Sequence, residues 1–181
     1  MSNLALTYPQ LAAWLYGEEP AALAVAKDFC SRMREDYRIN RFFNDKSVDE
    51  HAAALFAPIK ALLASQSPSA EELHALVNDY FTAAFARHNR SPSLVTGNDF
   101  AFLLDIAGGK DMREIIPLCE SHAWLIKLIP DDDHFDAAME HLAASMVKAG
   151  VPESLRRQIL DFAERGRDAV LARGPSALQA A

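Results

Sequence analysis

Two histidines are placed to do chemistry in this chain. His51 lies three residues after Val48 and four before Leu55, so a helix over this stretch turns its imidazole onto the apolar face. His122 shares a face with Ile115, Leu118, Cys119, Leu125, Ile126 and Ile129 if the segment after Pro117 is helical, and it too points inward. An imidazole buried with unpaired ring nitrogens costs about 1–3 kcal/mol. Each ring therefore needs a partner, a backbone group in a plain core or a bound group in a functional site. Glu71 and His74 form one Glu-x-x-His motif, whereas a di-metal carboxylate bundle needs two of them plus two further carboxylates. That reading ranks far behind. Cys30 and Cys119 form neither a Cys-x-x-Cys pair nor a disulfide framework, which suits a reducing compartment, and Cys30 reads as a small buried hydrophobe.

The elements that must hold these residues are helices nearly throughout. Ala22, Val25, Ala26, Phe29 and Met33 make one apolar stripe after Pro20, and Val48, Leu55, Ile59 and Leu62 make a second. Ser47 and Glu50 have the spacing of a capping box at the start of that second helix, and Pro58 inside it is expected to kink it. A third helix opens near Ser67 and carries Leu73, Leu76, Val77, Tyr80, Phe81 and Phe85 to an end near Pro92. A short apolar helix over 99–107 is expected to stop at Gly108 and Gly109. Pro130 and three aspartates start a helix whose stripe is Phe135, Ala138, Met139, Leu142 and Met146, ending at Gly150. Pro152 starts the last, with Leu155, Ile159, Phe162, Ala163 and Val170 inward, before a frayed tail over 174–181. No period-two alternation long enough for a strand occurs, so the fold class is all-α.

Composition narrows the function classes. The 181 residues, half of them hydrophobic, suit one domain with a substantial core. Eighteen basic against twenty-five acidic residues give a net charge of −7, and no basic stripe with interleaved aromatics appears, so nucleic acid is not an expected partner. No secretory leader pattern and no membrane-length apolar run is present, so a soluble cytoplasmic protein with no membrane partner is expected.

The run Phe29, Cys30, Arg41, Phe42, Phe43, Val48 to His51 resembles the haem-facing segment of the bacterial truncated haemoglobins, group I-like, in their B, C and E helices. The stretch from Ile129 to Leu142, continuing from Lys148 to Leu155, resembles the last two helices of that family. The resemblance implies a globin-like helical sandwich with extra helices, a haem b cofactor, and a bound dioxygen, nitric oxide or other diatomic gas ligand. Redox or nitric-oxide-detoxifying turnover would be a secondary activity and would need a reductase. It further implies His122, in His122-Ala-Trp-Leu125 ahead of Phe135, as the proximal iron ligand, with His88 the fallback. His51 takes the distal position, as donor to bound ligand or as a direct iron ligand. Phe43 would pack on the porphyrin, a role that its offsets from Cys30 and His51 raise above plain core packing, and Phe135 would line the inner haem edge, with core packing the equally good alternative.

Three departures from the family qualify what the pocket does. Cys30 stands where the family commonly has a tyrosine, and Leu55 where it often has a glutamine, so most distal hydrogen bonding falls to His51. Residues 66–108 are expected to form a helical insertion between what the resemblance makes the E and F helices. Its Tyr80, Phe81, Phe85, Phe100 and Phe102 require burial against the core or against a second subunit of a homodimer. The alternative is a globin-like helical domain without haem, acting as a sensor or interaction module. His74, His134 and His141 fall beside their apolar stripes and are expected at the surface.

Overall fold

The computed structural model describes residues 4–86 and 115–173. Among these, all regular secondary structure is helical: α1 (Leu4–Thr7), α2 (Pro9–Gly17), α3 (Glu19–Glu35), a 3-10 turn (Asn40–Phe42), α4 (Val48–Leu62), α5 (Ala70–Ala84), α6 (Glu120–Ile126), α7 (Asp132–Lys148), α8 (Glu153–Glu164) and α9 (Arg167–Val170). Two isolated β-bridges, Phe43 with Phe85 and Ile115 with Arg173, tie loops together without making a sheet. None of the described helices is long and apolar enough to cross a membrane. The expectations for His88, for Phe100 and Phe102, for the 99–107 helix with Gly108 and Gly109, and for the tail 174–181 fall outside the described residues.

Local chemistry sets the helix starts. Ser47 and Glu50 form the expected capping box on α4, and Ser69 and Glu72 form a second on α5, each satisfying two amide groups that a helix start leaves orphaned. Asp131 caps α7, with the His134 ring completing the reciprocal bond. At the other end of α7, Gly150 takes φ +68°, and the amides of Gly150 and Val151 return to the carbonyls of Val147 and Met146. A left-handed residue is what this helix stop requires, and glycine adopts it without strain. The helix α4 continues through Pro58 to Leu62, whereas α5 ends at Ala84, earlier than its apolar pattern suggests. The last helix is interrupted at Arg165 and Gly166, so Val170 belongs to the separate turn α9.

Three helices thread two hydrophobic clusters. In the first, Ala22 and Val25 of α3, Phe56 of α4 and Met146 of α7 pack with Leu11 and Leu15 of α2 and Leu155 and Ile159 of α8. In the second, Cys30 and Met33 of α3, Ala52 of α4 and Ala137 of α7 pack with Phe81 of α5 and Leu125 of α6. Polar bonds lock α3 to α7 between them. Asp28 accepts from Arg32, Ser145 (2.8 Å) and Lys148, and Asp36 pairs with Arg38 and His141 (2.7 Å). His141 and His134 are thus not free surface residues: the first is bonded to Asp36, and the second packs edge-on against Phe42 at 4.8 Å. His134 also caps α7 through Asp131, and the His141 bond to Asp36 joins α7 to the end of α3.

Candidate functional site

The second cluster surrounds both inward histidines. His51 is completely buried, placed by the α4 capping box one turn upstream, and the rings around it are Phe43 (centroids 5.3 Å apart), Tyr80 (5.9 Å) and Phe85 (6.3 Å). Neither Nδ1 nor Nε2 has a hydrogen-bond partner. Burial, with a smaller contribution from the nearby Arg34 cation, pushes the imidazole pKa down to about 3, so the ring is neutral. A neutral imidazole with a free nitrogen is a ligand or a hydrogen-bond donor that needs no proton removed first.

His122 is equally buried but fully engaged. The Leu118 amide donates to Nδ1 at 2.8 Å, which leaves the proton on Nε2, and Nε2 donates to the Val170 carbonyl at 2.7 Å. Desolvation lowers its pKa against the opposing pull of Val170. It sits at the start of α6, where the Cys119 side chain accepts from its amide and Ser121 docks onto Thr82 of α5 at 2.7 Å. The expected stripe around it holds only in part. Cys119 and Leu125 are buried, but Ile115 and Ile129 are exposed, because α6 spans only Glu120–Ile126 and both lie outside it.

Between the two histidines runs a chain of aromatic rings. Phe81 lies against His122 at 4.5 Å, stacks on Phe85 at 5.3 Å with 29° between planes, and Phe85 stacks on Phe43 at 5.3 Å. Cys30 is fully buried beside this group, its thiol pushed up to about 12 by desolvation, and is therefore not a reactive thiolate. Leu55 packs on the edge of the same cluster. Phe135 is elsewhere: its ring carries the Arg167 guanidinium at 4.5 Å on the outer side of α7.

Asn44 is a site residue that spacing and periodicity did not single out. Its side-chain amide reaches the carbonyls of Thr82 (3.3 Å), Ala83 (2.8 Å) and Phe85 (3.4 Å), while its backbone amide donates to Ala84 (3.0 Å). It thereby satisfies the carbonyls that the end of α5 leaves open. The carbonyl oxygen of its side chain accepts from the Lys46 amide at 3.0 Å. An asparagine four residues before a helix carries no local signal for a contact 40 residues away.

The residues fit an iron-bearing group unequally. His51 offers unengaged ring nitrogens among aromatic rings; His122 offers one only if its proton moves from Nε2 to Nδ1, which breaks both the Val170 and the Leu118 bonds. No cluster of three or more His, Cys, Asp or Glu able to hold a bare metal ion occurs among the described residues, so the di-metal carboxylate reading has no donor set there. No family model, curated protein or solved structure matches this chain.

Proposed function

We propose that this chain is a haem-binding, globin-like helical protein that takes up a small diatomic ligand, with His51 facing the iron. The observation that carries this reading is the completely buried His51 imidazole with both nitrogens unengaged. Such a group lowers stability by about 1–3 kcal/mol for each unsatisfied atom, and an iron or iron-bound ligand would offset that loss. A haem b held there would supply an iron able to bind dioxygen or nitric oxide. Phe43 and Phe85 stack on each other beside His51 and would have to part to present their faces to a macrocycle, and His51 is neutral, ready to donate to a bound ligand or to ligate. His122 would be the second imidazole of this reading; to hold the metal through Nε2 it would have to give up the Val170 carbonyl and carry its proton on Nδ1 in place of the bond from Leu118. Cys30 and Leu55 add apolar bulk and almost no hydrogen bonding.

One observation favours the second reading, a globin-like interaction module that holds no haem: both nitrogens of His122 are satisfied by backbone, as in a purely structural core histidine. Absorption spectra of the purified protein with a pyridine haemochrome assay, repeated after addition of haemin, separate the two. A stoichiometric Soret band supports the first; no band beyond that of free haemin supports the second.

A further inference from the structure

Two of the three rings covering His51 come from α5 and the residue that follows it. Tyr80 and Phe85 stand at 5.9 and 6.3 Å from the imidazole, and Phe43 closes the remaining side. Phe85 has left the helix for an extended conformation, so its position depends on what holds the end of α5. That end is held to the 42–44 segment. Ala86 donates to the Phe42 carbonyl at 2.8 Å, Asn44 donates to Ala84 through its backbone, and the Asn44 side-chain amide spreads over Thr82, Ala83 and Phe85. The acceptor side of the same group is tied to Lys46 and, at 3.5 Å, to Arg34, so the amide cannot turn away without losing bonds on both sides.

We propose that the end of α5 is a strap closed over His51, with Asn44 as the positioning residue that keeps it shut. A planar ligand approaching the imidazole from the α5 side meets Phe85, whose backbone the Asn44 bonds to the α5 carbonyls hold in place. Haem as the planar ligand rests on the function proposed above. The strap itself rests on the bonds and rings just described.

The test reads the strap without requiring haem. Carbethoxylation of individual histidines by diethyl pyrocarbonate, followed by peptide mass spectrometry, is compared in the full chain, Asn44→Asp, Asn44→Ala and Phe85→Ala. Asn44→Asp keeps the acceptor for Lys46 but loses the donor to α5, so an effect of the donor is separated from an effect of side-chain loss. His51 is expected to react at least tenfold faster in all three variants. Exposed His74 and core His122 should keep their wild-type rates, which controls for unfolding. A His51 rate unchanged by the Asn44 variants, or one that rises together with that of His122, overturns the strap. Haemin association is then followed in the same proteins by stopped flow. Faster association in the Asn44 variants joins strap and haem site. Faster carbethoxylation with no haemin binding to any protein would sustain the strap and defeat the haem reading, so the two fail separately.

Discussion

The imidazole of His122 and the carbonyl of Val170 lie 2.7 Å apart, and this bond joins the start of α6 to the last turn of the described chain. Around it, Arg173 and Arg167 both hold Asp132, and Arg167 also holds Asp136, so α9 is clamped onto α7 while its carbonyl holds the histidine. His122→Ala removes the acceptor for Leu118, the donor to Val170 and the ring beside Phe81. We expect a loss of about 3–4 kcal/mol from two unsatisfied backbone groups and a cavity. Urea unfolding measures it; a loss below about 1 kcal/mol would mean that the bond contributes little. If His122 is also the proximal ligand, the variant retains no haem even under conditions where it is folded.

His51 behaves in the opposite sense. Replacing a buried ring that has no hydrogen-bond partner by an apolar one of similar bulk removes a desolvation cost and creates no orphan. His51→Leu is therefore expected to raise stability by about 1–2 kcal/mol in protein without added haemin. Destabilisation in the same urea experiment would show that His51 makes a favourable core contact and is not held at a cost for function.

The pH dependence of stability follows from the same ring. Its pKa of about 3 in the fold lies below the ordinary value of 6.5, so between these values the unfolded chain binds the proton and the folded chain does not. Stability is fully present above pH 6.5 and falls as the pH drops towards 3, by about 1.4 kcal/mol per unit at the steepest. His122, also lowered, acts in the same direction. Urea midpoints across pH 7 to 4 should fall in the wild type and fall less steeply in His51→Leu. Parallel profiles for the two proteins would exclude His51 as a source of the acid sensitivity.

What the sequence made legible was local. The capping box at Ser47, the glycine stop at Gly150 and the inward faces of His51 and His122 all follow from spacing within one or two helical turns. The partners of those histidines did not, because they come from distant parts of the chain: Val170 lies 48 residues from His122. Phe135 and His141 show the same limit. Periodicity assigns a face, but whether Arg167 or Asp36 then covers that face is decided by tertiary packing. The globin-like arrangement, the haem and the gas ligand remain proposals carried by residue resemblance and by the unpaired His51.

The most direct measurement is haemin titration of the wild type and of His51→Leu, followed through the Soret region in oxidised and reduced protein. One haem per chain is expected in the wild type. In the variant, weaker binding is expected, or a change from a six-coordinate low-spin to a five-coordinate spectrum. A wild type that binds no haem, or a variant identical to it in stoichiometry, affinity and spectrum, would contradict the placement of His51 at the iron.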